Sequence, residues 1–284
     1  MLGACAQFPS TEPVTTPPLP PAVSKPAKVG LALGGGAARG FAHIGVIQVL
    51  EDAGIRPDLV VGTSAGSVVA ALYASGKSGR ELQTIAESME EAALSDWRLP
   101  LFKPGVLRGE ALSRFISSQV RGQQIQEMAR PLGIVATDLL SGAGVLFQRG
   151  DTATAVRASS AIPAVFQPVS ISGRDYVDGG LVSPVPVVYA KQMGADLVIA
   201  VDISVDPQAN AGQDTLQVLL KTFAIMGKNL AAFELQRADL VVRPNMAGLA
   251  SASFESRALA IQAGRQAMLA QLPMLRRLIG RPRD

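Results

Sequence analysis

The chain has 284 residues, 48% hydrophobic and 17% charged, with a net charge of +3 and a pI near 9.2. That balance supports a buried core and excludes general disorder. Aromatic residues at 5% with no basic–aromatic platform exclude nucleic-acid binding, and a single cysteine excludes an internal disulfide.

Residues 1–27 read as a Pro/Ser/Thr-rich linker, because seven of the 19 prolines fall within residues 1–26. Leu2-Gly3-Ala4-Cys5 resembles a bacterial lipoprotein lipobox, although no basic segment or apolar h-region accompanies it. The expectation is that Met1 is an internal start and Cys5 a lipidation site. The linker would then tether a bacterial membrane-anchored protein, on the outer membrane because Ala6 rather than Asp follows. Without lipidation Cys5 is an ordinary thiol and the protein is expected in the cytoplasm.

Residues 28–284 read as one domain. A strand is predicted at 28–33, followed by Gly34-Gly35-Gly36-Ala37-Ala38-Arg39-Gly40 and a helix at 40–53. A glycine-rich loop opening a helix presents unpaired N–H groups to an anion, either a phosphate or the oxyanion of acyl transfer. Neither G-x-G-x-x-G nor G-x-x-x-x-G-K-[ST] fits this loop. His43, the one histidine, lies on the predicted helix beside Phe41 and Ile44 and reads as structural. No second histidine exists to share a metal with it.

A strand at 58–62 then leads into Gly62-Thr63-Ser64-Ala65-Gly66 and a helix at 64–75. Small residues around a serine permit the sharp strand-to-helix turn that lifts its hydroxyl off the backbone, so Ser64 reads as a nucleophile. Ala65, Val68, Val69, Leu72 and Tyr73 put one apolar face on that helix, and Gly76 supplies its stop. Residues 59–76 carry no charge, yet strand plus helix accounts for them better than a membrane span. With the elbow one unit downstream, the oxyanion reading of the 34–40 loop outweighs the phosphate reading.

No histidine follows Ser64, which excludes the Ser–Asp–His order of α/β-hydrolases. The base is expected to be a carboxylate. After helices near 78–93 and 109–120, strands near 131–137 and 144–148 and a helix at 152–160, Asp178-Gly179-Gly180 offers a carboxylate on a tight turn. Asp175 is its neighbour, beside a hairpin turn at Gly173-Arg174, and reads as a solvated turn residue. The residues alone leave Asp178 open between base and turn former. A helix at 185–193 and a strand at 196–201 follow. Strand–helix alternation predicts an α/β fold with a mostly parallel central sheet flanked by helices, the elbow following a central strand. In 214–235, Leu216, Leu219, Leu220, Phe223, Met226, Leu230 and Phe233 fall largely on one helical face; core packing is the default, an acyl-chain entrance the alternative. Arg276, Arg277, Arg281 and Arg283 read as the solvated tail of a last helix, with weak attraction to anionic lipid headgroups as the alternative.

GGGAARG at 34–40, GTSAG at 62–66 and DGG at 178–180, with supporting stretches at 42–55 and 155–169, together resemble the patatin-like phospholipase family, closest to its bacterial branch related to neuropathy target esterase. The resemblance covers about residues 28–205 and implies a three-layer sandwich. It implies Ser64 as nucleophile and Asp178 as its base, with Gly34, Gly62, Gly66, Gly179 and Gly180 as motif glycines. The amides of Gly35, Gly36 and Ala37 would form the oxyanion hole, Arg39 and Gly40 supporting the loop. Many members carry glycine where Ala37 stands, and the hole is expected to survive if Ala37 keeps a negative φ. The implied activity is hydrolysis of phospholipid or lysophospholipid esters, without metal or cofactor, with peripheral or lipid-anchored membrane association. A general carboxylesterase or thioesterase, or a catalytically idle regulatory protein, are the alternatives. Oligomeric state is not legible.

Overall fold

The computed structural model describes residues 26–89, 107–204, 214–246 and 256–280. Cys5, residues 1–25, the end of the helix expected at 78–93, Arg281 and Arg283 lie outside the described residues.

Strands β1 (Val29–Leu33), β2 (Leu59–Thr63), β3 (Leu132–Asp138), β4 (Gly144–Phe147), β5 (Val169–Ile171), β6 (Arg174–Asp178), β7 (Leu197–Val201) and β8 (Leu240–Val242) form one eight-stranded sheet. β3, β2, β1, β7 and β8 are parallel neighbours, while β4, β5 and β6 add an antiparallel flank. Every residue of β1, β2 and β7 is buried, which explains their nearly continuous apolar runs.

Alternate residues serve two cores. Val29, Leu31 and Leu33 join a large cluster beneath α1 (Phe41–Asp52), α2 (Ala65–Ala74), α3 (Gly79–Ser88), α4 (Glu110–Gln119) and, later in the chain, α8 (Arg257–Ile279). Ala32, Val61, Val198 and Ala200 face the other way, toward α6 (Val187–Gln192) and the end of α7 (Thr215–Leu235). A third cluster joins α5 (Thr152–Ser159) to the antiparallel flank through Ala158, Val165, Phe166 and Tyr176. Helices on both faces of a mostly parallel sheet make the expected three layers.

α1 begins at Phe41, because residues 37–40 wind as a short 3-10 turn. α2 has no solvent face: all ten of its residues are buried, since neighbouring helices cover the side turned away from the sheet. Gly76 follows its C-cap at φ 100°, the stop expected there. Ser172 and Gly173, at φ 51° and 77°, turn β5 into β6. Asp175 lies exposed on β6, just past that turn.

α7 departs most from expectation. Only Ala231 and Leu235 of its 21 residues are buried. Of its earlier turns, Leu220 packs against the third cluster and the remaining side chains are half-buried or exposed, so core packing accounts for only part of its apolar periodicity.

Candidate active site

Three strands hydrogen-bond to β3, which has only two edges. β4 pairs with Ile134–Thr137, overlapping the stretch paired by β2 and the stretch paired by β6. β2 and β6 must therefore share the opposite edge, approaching from opposite directions. Thr63 sits across from Val135 and Asp178 across from Ala136, so the two strands end head to head. That junction brings the residue after β2, Ser64, against the last residue of β6, Asp178. The Ser64 Oγ donates to Asp178 Oδ2 at 2.7 Å.

Ser64 adopts φ 52° and ψ −123°, a conformation costing a non-glycine residue about 1–3 kcal/mol. Its neighbours hold it there. Its N–H donates to Ser159 Oγ (2.9 Å), which donates onward to Val135 O (2.6 Å). The motif glycines serve close approach: a Cβ on Gly62 would meet Gly66 O at 2.4 Å, and one on Gly66 would meet Leu33 O at 2.1 Å. A Cβ on Gly179 would meet Val135 O at 2.2 Å, so the strand junction requires that glycine too.

Asp178 is held at three points. Gly180 N donates to Oδ1 (2.7 Å), Thr137 Oγ1 donates to the Asp178 carbonyl (2.8 Å), and Asp178 N donates to Ala161 O (2.9 Å). Burial pushes its carboxyl up to about 6, and the hydrogen bonds from Ser64 and Gly180 only partly offset this.

The 34–40 loop lies beside Ser64, with two corrections to the expected donor set. Gly35 N–H donates to Pro184 O (2.9 Å) and is committed there. Gly35 instead permits close approach, since a Cβ on it would lie 3.1 Å from Ser64 Cβ. Ala37 has φ 52°, not a negative φ. Among the described residues no acceptor takes the N–H of Gly36, Ala37 or Ala38, and all three residues line the cleft at Ser64. Arg39 is buried and donates from Nη1 to Ser204 O (2.9 Å), tying the loop to the segment after β7. His43 is fully buried, and burial lowers its imidazole to about 4, so the neutral ring donates from Nε2 to Gly34 O (2.8 Å). It props the loop from beneath, a structural role as expected.

The cleft holds about 260 Å³, near the lower end of the range for ligand sites. Ser64 and Asp178 lie on its lining, and its walls are apolar: Ile162, Val165, Phe166, Leu181, Leu220 and Phe223. Leu220 and Phe223 belong to α7, whose periodicity therefore builds a cleft wall.

Ser159, Thr137 and Glu234 support the site without having been singled out in the sequence. Glu234 of α7 accepts from Ser183 Oγ and from Val185 N (3.1 Å). Partial burial raises its carboxyl to about 7. The loop it holds accepts Gly35 N–H at Pro184 O and Thr63 Oγ1 at Ser183 O (2.8 Å).

Comparison with known proteins points one way. The family model of patatin-like phospholipases matches residues 31–191. An NTE family protein of Mycobacterium tuberculosis, itself uncharacterized, is 39% identical over 186 residues, covering 64% of this chain and 50% of that protein. Patatin-like phospholipase domain-containing protein 6 of Mus musculus is 33% identical over 229 residues, covering 78% of this chain and 16% of that protein. The chain thus spans half the length of the mycobacterial relative and far less of the mouse one. The crystal structure of VipD from Legionella pneumophila superposes with a TM-score of 0.61 at 17% identity, covering 88% of this chain and 68% of that one, a likeness of fold.

Proposed function

This chain belongs to the patatin-like phospholipase family, and on that premise we propose that it is a lipid acyl hydrolase of phospholipase A or lysophospholipase type. The observation that carries the proposal is the 2.7 Å hydrogen bond from Ser64 to Asp178 at the floor of an apolar cleft.

Asp178 Oδ2 takes the Ser64 proton as Oγ attacks the ester carbonyl. The carbonyl π pair moves onto oxygen, and the N–H groups of Gly36, Ala37 and Ala38 receive the oxyanion. One such donor contributes about 2.7–4 kcal/mol where this has been measured in an unrelated serine hydrolase. The tetrahedral adduct collapses, the alcohol leaves with the proton from Asp178, and the acyl group remains on Ser64. Water then attacks the acyl carbonyl with its proton going to Asp178; as the adduct collapses and the fatty acid departs, Asp178 returns that proton to Ser64 Oγ and both groups are regenerated. The strained elbow and the Ser159 hydrogen bond keep Oγ aimed at Asp178 throughout.

The apolar walls favour a long acyl chain over the short acids of a general carboxylesterase. The test is fatty-acid release from lysophosphatidylcholine micelles against hydrolysis of a butyrate ester. Ser64→Ala is expected to lower the former by roughly 10⁴–10⁶-fold, and Asp178→Asn by about 10²–10⁴-fold. Undiminished turnover by Ser64→Ala would overturn the assignment, and a strong preference for butyrate would favour the carboxylesterase.

A further inference from the structure

The end of the sheet that carries Ser64 also displays apolar side chains that neither the cores nor the cleft use. On α7, Val218 is 54% exposed, Ile225 45% and Phe233 70%. At about 100° per residue they share one face, turned away from Leu220 and Ala231. α7 therefore has two apolar sides, one lining the cleft and one turned outward. Lys221 and Lys228 border the outward side, Lys228 also lining the cleft; the acids nearest the stripe are Asp214, which caps the start of α7, and Glu234, which is turned to the Ser183–Val185 loop.

A second apolar projection stands at the same end. β3 runs parallel to β2, so the turn after β3 emerges where Ser64 does. Leu140 at that turn is 97% exposed. Asp138 Oδ1 accepts from the N–H of Leu140 (3.1 Å) and of Ser141 (2.9 Å), and Arg174 pairs with Oδ2 (3.1 Å). An ordered turn thus presents Leu140 to solvent, where it has no packing role.

We propose that this end of the molecule docks on an anionic lipid surface. The Val218–Ile225–Phe233 stripe and Leu140 enter the interfacial layer, with Lys221 and Lys228 at headgroup level. An exposed apolar stripe bordered by two lysines has the make-up of an interfacial helix. Continuity selects lipid as the occupant: the helix that carries the stripe is also a wall of the cleft, so a chain leaving the surface meets the apolar route to Ser64 directly. The proposal rests on the acyl-hydrolase reading for its purpose, but docking is measurable without turnover.

The test sediments the full chain carrying Ser64→Ala with phosphatidylcholine vesicles containing or lacking phosphatidylglycerol. Binding is expected with phosphatidylglycerol and is expected to weaken as salt is raised. Ile225→Glu combined with Leu140→Glu should weaken it by about tenfold or more. The same pair on the active chain should leave hydrolysis of a soluble butyrate ester unchanged, because neither residue lines the cleft. Loss of butyrate hydrolysis by the pair, with a changed far-ultraviolet spectrum, directs the test to Val218→Glu alone, for which the same loss of binding is expected. Wild-type-like sedimentation of the variants, or none by the parent chain, overturns docking while leaving the dyad intact. A dimer that Ile225→Glu dissociates, without vesicle binding, also overturns it and assigns the stripe to a second copy. Vesicle binding with no hydrolysis of any ester overturns the acyl-hydrolase reading instead.

Discussion

Asp178 holds its proton to about pH 6 because its carboxyl is buried and the bonds from Ser64 and Gly180 only partly compensate. A general base works only when deprotonated. The kcat/KM for a soluble ester should therefore fall as pH drops through about 6, and recover fully on return to pH 8. A profile flat from pH 8 to 5 would separate turnover from Asp178. Ala37 supplies a second prediction at this scale. Its positive φ costs an alanine about 1–2 kcal/mol, whereas glycine costs roughly 0.5–1 kcal/mol in lost chain entropy. Ala37→Gly should be neutral or stabilising by up to about 1 kcal/mol in urea unfolding, while Ala70→Gly inside α2 should destabilise by about that amount. Ser64 was legible because its glycines mark close approaches that any such turn requires. The role proposed for Asp178 as base came only from the family resemblance; the residues alone left it open between base and turn former. The φ of Ala37 and the bond from Gly35 to Pro184 were not legible, since both depend on a contact between segments far apart in the chain.

Among the elements, α7 joins the site to the outer surface. Glu234 near its end holds the Ser183–Val185 loop, and that loop in turn accepts hydrogen bonds from Thr63 and Gly35. Glu234→Ala leaves the partly buried Val185 N–H and Ser183 hydroxyl without this partner and should cost about 1–3 kcal/mol in urea unfolding. Glu234→Gln retains an acceptor for Val185 and should recover most of the loss. Equal effects of the two would dismiss the loop-holding role. Strands and helices around the two motifs were legible because their apolar runs are long and their stops are marked by Gly34 and Gly76. β8 was not, being three residues long. α7 was legible as a helix but not as a cleft wall, because apolar spacing is the same whether a face meets a core, a cleft or nothing. The α1–α8 crossing was also invisible: Cβ atoms on Gly45 and Gly264 would strike Ile261 O at 1.9 Å and Ala42 O at 2.0 Å, an approach only the folded pair reveals.

At the scale of the molecule, three of the described groups, which burial shifts between about pH 4 and 7, set how stability follows pH in that window. Asp178 and Glu234, raised to about 6 and about 7, keep protons in the folded chain that the unfolded chain releases near 4. Their contributions therefore decline as pH rises from about 4 to 7. His43, lowered to about 4, acts oppositely: the unfolded chain holds its proton up to about 6.5, so stability grows with pH over that window. Two carboxylates outweigh one imidazole, and Asp138 and Glu81 are lowered and titrate below this range. The Tm should accordingly be no lower at pH 5 than at pH 7.5, so acid loss of activity would occur in folded protein. A Tm falling across that interval would contradict this. The layered fold was legible from strand–helix alternation, but the shared β3 edge that assembles the site was not, because non-local pairing leaves no periodicity in the chain.

The central claim is that Asp178 activates Ser64. Its most direct test is labelling with a fluorophosphonate probe at pH 8 and pH 5, followed by peptide mapping, for wild type, Ser64→Ala and Asp178→Asn. The account predicts one modified residue, Ser64, labelled fast at pH 8 and slowly at pH 5, with labelling abolished by Ser64→Ala and sharply slowed by Asp178→Asn. Labelling at another residue, or Asp178→Asn reacting as fast as wild type, would contradict it.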